Sequence, residues 1–185
     1  MKYLIVGLGN IGEEYANTRH NIGFNIADTM AQKQGVSFKM ERLAYYTEFR
    51  LKNKIVHLIK PTTYMNLSGK ALFYWMNELK IPKEQILILV DEIALPFSKI
   101  KMKPSGSDGG HNGLKSIQFI LNSTIYPRLR FGIGNNYERG KQVEYVLGKW
   151  NETETKELPD LIDKSIQSIE SFVLEGLERS MTKYN

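Results

Sequence analysis

The chain has 185 residues, the length of one domain, and is 42% hydrophobic and 24% charged, which excludes global disorder. It contains no cysteine, which excludes disulfides, thiolate nucleophiles, iron–sulfur clusters and cysteine-based zinc sites and fits a cytoplasmic protein. Residues 1–151 carry 21 Lys and Arg against 12 Asp and Glu, whereas residues 152–185 carry 4 against 8, so a basic body precedes an acidic tail.

Residues 3–8 (YLIVGL) read as a buried strand stopped by glycines; the stretch is too short for a signal peptide. Residues 21–34 place Ile22, Phe24, Ile26, Ala27 and Met30 on one side before Gly35, which predicts a helix. Residues 44–51 and 54–59 flank Lys52-Asn53 and predict a hairpin. A helix is expected over about 66–79, and the continuous apolar run 86–90 predicts a central strand. No apolar run of this kind is long enough to cross a bilayer, so no membrane association is expected. Residues 99–103 alternate Lys-Ile-Lys-Met-Lys, the period of a half-exposed strand. A helix over about 112–122, a strand over 128–133 and a helical tail over about 152–180 complete the chain, with Leu161, Ile162, Ile166, Ile169, Phe172 and Val173 on one stripe of the tail. Strands alternating with helices, plus a hairpin, predict a single α/β domain with a mixed, partly parallel twisted sheet flanked by helices.

Gly7-Leu8-Gly9-Asn10-Ile11-Gly12 matches the glycine pattern of dinucleotide-binding proteins directly after a strand. Its context does not fit. The helix that would meet a pyrophosphate starts near residue 21, and Glu13-Glu14 put two anions where the phosphates would sit. The motif reads as a tight turn, and no nucleotide cofactor is expected.

The polar residues fall at strand exits. Asn10 follows the first strand, and Thr18-Arg19-His20-Asn21 lies in the loop after it. Tyr64-Met65-Asn66 follows the 54–59 strand, Asp91-Glu92 the 86–90 strand, and Gly109–Gly113, with His111 and Asn112, the 99–103 strand. Open α/β sheets form their sites outside the carboxyl ends of strands, so Asn10, His20, Asn66, Asp91 and Asn112 are expected to converge. Imidazole accepts a proton near neutrality; a carboxylate on its other nitrogen fixes the tautomer and raises basicity. Carboxamides orient water or donate to an oxyanion without adding charge. With no Cys and no GxSxG elbow, the set points to a histidine-activated water attacking an ester or similar carbonyl. Taken alone, His20 reads first as an N-cap or loop hydrogen-bonding residue. His57 reads as structural, and His111 stays open between a structural and a substrate-facing role. No histidine spacing resembles a metal-ligand motif.

The basic body points to a polyanionic partner, nucleic acid first. Lys99, Lys101 and Lys103 share one strand face, a stripe that suits a phosphate backbone or guards a solvated edge strand. Residues 103–113 contain four Gly and read as a mobile lip ending on a helix N-terminus, an anion site in its own right. Tyr15 and Tyr64 offer rings to a base or an apolar group.

The runs Gly7–Phe24, Lys60–Gly69, Ile88–Ile117, Tyr126–Gly134 and Val146–Trp150 together resemble bacterial-type peptidyl-tRNA hydrolase over essentially the whole chain. That resemblance implies a monomeric, cytoplasmic, metal-free enzyme with a phosphorylase/hydrolase-like fold. It implies cleavage of the ester between a peptide and the tRNA 3′ end, which recycles tRNA in translation. It implies His20 as the base, Asp91 as its supporting carboxylate and Asn10 as the residue that positions water or substrate. It further implies Asn66 and Asn112 as substrate-binding amides, Tyr15 and Tyr64 near the terminal nucleotide, Met65 beneath the site, and Lys101 and Lys103 on tRNA phosphates. The chain departs from the pattern at Ile11, Glu92, Ala94, Ser98 and Pro104-Ser105, none of which removes the His20, Asp91 and Asn set. A non-catalytic RNA-binding relative is the alternative reading; a nucleotide-dependent oxidoreductase requires a helix opening within Gly7–Gly12.

Overall fold

A computed structural model describes residues 1–185. One seven-stranded sheet runs in the order β2-β3-β4-β1-β5-β7-β6. Strands β1 (Lys2–Gly7), β4 (Lys54–Pro61), β5 (Ile86–Glu92) and β7 (Ile125–Gly132) are parallel. β3 (Ala44–Leu51) pairs antiparallel with β4, β2 (Lys39–Glu41) with β3, and β6 (Ile100–Ser105) with β7.

The central strands are apolar at consecutive positions because helices cover both faces. On one face Ile5, Leu87, Leu89, Leu129 and Phe131 pack against Ile22, Ile26 and Met30 of α1 (Ile22–Lys33) and Ile162, Ile166, Ile169 and Phe172 of α5 (Glu152–Glu175). On the other, Leu4, Val6, Ile88, Val90 and Tyr126 pack against Leu72 and Trp75 of α2 (Ser68–Leu79) and Leu114 and Ile117 of α3 (Asn112–Leu121). Each fully buried Leu, Ile or Phe side chain contributes about 1.5–3 kcal/mol, so these two layers fix the sheet.

The glycines after β1 bring α1 onto the sheet. A Cβ on Gly7 would lie 2.3 Å from the Gly23 carbonyl oxygen, and one on Gly23 would lie 2.5 Å from the Leu8 nitrogen. Helix α1 opens at Ile22, outside the glycine motif, and its first turn rides directly on the end of β1. His20, just before α1, is thereby held beside the end of β5.

Several boundaries differ from the sequence expectations. β5 continues through Asp91 and Glu92, which pair with Phe131 and Gly132, so Asp91 is a strand residue rather than a loop residue. β7 begins at Ile125 instead of 128. The tail is two helices, α5 and α6 (Leu177–Tyr184), parted by Gly176 at φ +92°. The short β2 and α4 (Gln142–Val146) contain no fully buried residue, so neither leaves an apolar pattern. The outer edge of β6 is covered at one point by Asn185: the Met102 N–H donates to Asn185 Oδ1 (2.7 Å) and Asn185 Nδ2 donates to the Met102 carbonyl (2.9 Å).

Candidate active site

Asp91 lies at the carboxyl end of β5 with its side chain almost wholly buried. His20 Nδ1 sits 2.9 Å from its Oδ2, and His111 Nε2 sits 2.8 Å from its Oδ1. One carboxylate therefore bridges two imidazoles, whose ring centres are 4.8 Å apart.

The main chain fixes the His111 tautomer. As the N-cap of α3, His111 accepts at Nδ1 from the Gly113 N–H (3.1 Å) and the Leu114 N–H (3.4 Å). Its proton is thus on Nε2, donated to Asp91. His20 donates its Nδ1–H to the same carboxylate and keeps Nε2 free of any partner within the chain. Burial works against charging the His20 ring, but the Asp91 charge and hydrogen bond outweigh it and raise its pKa above 6.5. Burial also opposes ionisation of Asp91, yet the two imidazoles bonded to its oxygens hold its pKa well below the usual carboxylate range.

The ligand atoms of His20, Asp91 and His111 lie within 4.8 Å of one another, a spacing compatible with a metal ion. The His111 tautomer opposes that use, since Nδ1 is taken by the α3 backbone and Nε2 carries a proton. The same cap corrects the expectation of an anion site at this helix: the Gly113 and Leu114 N–H groups are already engaged by the imidazole.

Asn10 is anchored through both main chain and side chain. Its N–H donates to Asn21 Oδ1 (2.9 Å) and its carbonyl accepts from Asn21 Nδ2 (2.8 Å). Its Oδ1 accepts from the Met65 N–H (2.8 Å), leaving Nδ2 as the free end, a donor. Nothing local in the sequence marks Asn21 as a buried carboxamide that pairs with a main chain 11 residues away.

Met65 is buried, and a Cβ on Gly113 would meet its sulfur at 2.7 Å and His111 Cε1 at 3.1 Å. This contact brings together the chain segments that carry Asn66 and Asn112, whose exposed carboxamides make no hydrogen bond within the protein. Tyr64 is 49% exposed at φ +60°, next to Met65. Tyr15 is half-buried and closes the turn Glu13–Tyr15, its carbonyl accepting from Thr18 Oγ1.

One supposed strand exit is not one. β6 is antiparallel, so its carboxyl end lies beside Ile125 at the start of β7, away from Asp91. Residues 106–111 carry the chain back, held by Gln118 Nε2 on the Gly106 carbonyl, Arg128 on the Ser107 carbonyl and the Gly106 N–H on the Thr124 carbonyl. These bonds anchor the start of the expected lip, and Gly109 and Gly110 beyond it are exposed.

Lys101 and Lys103 are exposed and oppose Arg130 and Arg128 across the β6–β7 ladder. Arg130 pairs with Glu92 at 2.7 Å. Arg128 is fully buried, its guanidinium 3.9 Å from the Tyr126 ring centre. His57 lies in β4 opposite Leu4, at the far end of β1, with Nδ1 2.8 Å from the Tyr46 hydroxyl; burial lowers its pKa.

A cavity of about 170 Å³ opens beside the bridged pair. Its lining includes His20, Asp91 and His111 together with the apolar Ile93, Val143 and Val146. The α/β fold, with a carboxylate-bound imidazole beside a cavity at the carboxyl end of the sheet, is of a hydrolase class.

The family model for peptidyl-tRNA hydrolase matches residues 4–185. The chain is 50% identical to the peptidyl-tRNA hydrolase of Porphyromonas gingivalis over 100% of both chains, and 50% identical to that of Cytophaga hutchinsonii over 100% of this chain and 98% of the relative. Among solved structures, the peptidyl-tRNA hydrolase of Acinetobacter baumannii superposes with a TM-score of 0.92 at 34% identity, covering 98% of this chain and 93% of that one. The chain belongs to the peptidyl-tRNA hydrolase family. It is an ester hydrolase whose substrate is peptidyl-tRNA. No helix is long and apolar enough to cross a membrane.

Proposed function

We propose that His20 is the general base of this hydrolysis. Its free Nε2 takes a proton from water, and the resulting hydroxide adds to the carbonyl carbon of the peptidyl ester. Asp91 holds the Nδ1–H and favours the imidazolium that forms. The Asn10 Nδ2 group is oriented as a donor and suits the developing oxyanion, with the unpaired carboxamides of Asn66 and Asn112 on the substrate. As the tetrahedral intermediate collapses, the acyl carbon–oxygen bond breaks and the imidazolium returns its proton to the ribose oxygen. The products are a peptide carboxylate and free tRNA.

The observation that carries this reading is the Asp91 carboxylate on His20 Nδ1 at 2.9 Å, which leaves Nε2 as the only nitrogen able to accept. Exposed Lys101 and Lys103 suit the phosphate backbone of the acceptor end, and Tyr15 and Tyr64 the terminal nucleotide. A single chain supplies every group, so a monomer suffices. The cytoplasm, where peptidyl-tRNA forms, is the matching compartment. A purely RNA-binding role has no use for the bridged pair and is not favoured. Mixing the protein with N-blocked and free aminoacyl-tRNA tests the activity: the blocked form is expected to be cleaved and the free form spared. Equal cleavage of both would contradict selection for a blocked amine. His20→Ala is expected to abolish turnover while retaining tRNA binding; unaltered turnover overturns the mechanism.

A further inference from the structure

Arg19 immediately precedes the base and is tied to a distant part of the chain. It is 8% exposed, and its partner Glu154 is 7% exposed. Arg19 Nη2 donates to Glu154 Oε1 at 2.8 Å, and Nη1 donates to the Tyr145 carbonyl at 3.2 Å. The guanidinium lies 4.2 Å from the Tyr145 ring centre. The Arg19 main-chain N–H donates to the Gly148 carbonyl at 3.0 Å, and Thr18 forms an antiparallel bridge with Lys149. Gly148 leaves room for this, since a Cβ there would lie 3.1 Å from Arg19 Nη1.

The anchor at the other end is firm. Glu154 Oε1 also accepts the Asn151 N–H at 3.0 Å, while Asn151 Oδ1 accepts the Glu154 N–H, a capping box that starts α5. Trp150 packs on Phe97 and Phe131. These ties begin on Tyr145 of α4 and follow it in the chain, and α4 carries Gln142, Val143 and Val146 into the cavity shared with His20, Asp91 and His111. α4 has five residues and buries none of them fully; half-buried Tyr145 and Val146 rest on the core and the Tyr145 hydroxyl donates to the Ile133 carbonyl, and Arg19 adds the ties that join this short helix to the segment carrying His20.

We propose that Arg19 is a positioning residue that fixes the α4 wall at a set distance from His20 and so shapes the cavity for the acyl part of the substrate. This rests on the reading of His20 as the base, because only then does the cavity beside it face the peptide. An arginine suits the task where a lysine does not: its planar fork reaches the carboxylate and a carbonyl at once while stacking on Tyr145. Val143 and Val146 offer apolar contact, which suits many acyl groups without reading any one of them.

The test is steady-state kinetics of Arg19→Ala, Arg19→Lys and Glu154→Gln on two substrates, one with a short N-acetylglycyl group and one with a longer apolar peptide. Arg19→Ala is expected to raise KM about tenfold for the long acyl group and less than about threefold for the short one, with kcat nearly kept. Arg19→Lys is expected to fall between. The acid limb of the pH profile is expected to stay in place, because the His20–Asp91 pair is untouched. Equal losses on both substrates would mark Arg19 as a stabilising residue only and overturn the proposal, as would an unchanged KM in folded protein. Should Arg19→Ala fail to fold, Glu154→Gln, which keeps the cap geometry and removes the charge, is judged by the same acyl-size difference. His20→Ala, measured alongside, reports separately on the base: if it turns over normally, the reading of His20 fails whatever the Arg19 variants do.

Discussion

His111 is bonded to the Asp91 carboxylate as directly as His20 is: its Nε2 lies 2.8 Å from Oδ1, while Oδ2 takes His20. The two histidines are not equivalent. His111 has its other nitrogen committed to the α3 backbone, whereas His20 has its other nitrogen free. Asp91 is thus oriented by one ring and acts on the other.

The shift on His20 gives a pH prediction. Both influences that raise its pKa come from Asp91, and burial opposes them. The base works unprotonated, so the acid limb of kcat/KM is expected above the ordinary imidazole value of about 6.5. Asp91→Asn removes the charge while keeping an acceptor for Nδ1–H. The limb is expected to move to lower pH, with kcat reduced by ~10–10³-fold through the weaker base. A pH–rate profile of the variant checks this; an unmoved limb would disconnect Asp91 from the base.

Removing His111 is expected to move the limb the other way. With one donor gone, the Asp91 carboxylate becomes a stronger acceptor toward His20 and holds the imidazolium more tightly. His111→Ala also strips the cap from α3, at a cost of about 0.5–2 kcal/mol of stability. His111→Asn restores a capping side chain and is expected to recover the stability but not the pH shift. Thermal melts and pH–rate profiles of both variants separate the two effects.

The fold was legible where burial is two-sided. Ile86–Val90 and Leu4–Val6 are apolar at every position, so their strand character shows without alternation. The glycine motif was legible as a turn, but its reason was not, because Gly7 answers to Gly23 across a helix–strand contact that no local pattern encodes. The direction of β6 was hidden for the same reason. Lys-Ile-Lys-Met-Lys specifies a half-exposed strand without saying which way it runs, so nothing local shows that residues 106–111 must cross back from the far end of the sheet to bring His111 to Asp91. His20 and Asp91 stood out as residue types suited to one reaction. His111, Asn21 and Arg19 did not, since their partners are a helix backbone, a main-chain amide pair and a segment more than 120 residues away.

The lysine stripe predicts a salt effect. Lys103 is exposed and makes no ion pair, so it is free to meet a phosphate. Lys103→Ala is expected to weaken tRNA binding and lower the slope of log K against log salt by about 0.7–0.9, the release of one counterion. Binding titrations between low and moderate salt check this. An unchanged slope would leave the lysine as a guard of the sheet edge.

Asn21 is expected to act through Asn10. Asn21→Ala removes both hydrogen bonds to the Asn10 main chain, leaving polar groups in a buried site unpaired at about 1–3 kcal/mol each. The Asn10 carboxamide then loses its fixed aim. Turnover of peptidyl-tRNA is expected to fall with tRNA affinity largely kept. Asn21→Asp retains the acceptor for the Asn10 N–H but sets a buried carboxylate oxygen against the Asn10 carbonyl, so a loss at least as large is expected. Equal activity of Asn21→Ala and the parent would show that Asn10 needs no such support.

Gly113 links the two halves of the site by what it lacks. An added methyl would meet the Met65 sulfur at 2.7 Å, Leu8 Cδ1 at 3.0 Å and His111 Cε1 at 3.1 Å. The thioether can move, but Met65 also gives its N–H to Asn10, and His111 is held at both nitrogens. Relief of the clash must therefore disturb either the aim of Asn10 or the grip on Asp91. Gly113→Ala is expected to cost about 1–3 kcal/mol in denaturant melts, the usual penalty of overpacking. It is also expected to lower kcat more than tRNA affinity, because Lys101 and Lys103 stand on a different strand. Met65→Ala in the same chain opens space at the sulfur and is expected to return part of the stability. If the double variant regains stability without activity, the orientation of Asn10 and His111, rather than the packing beneath them, sets the rate.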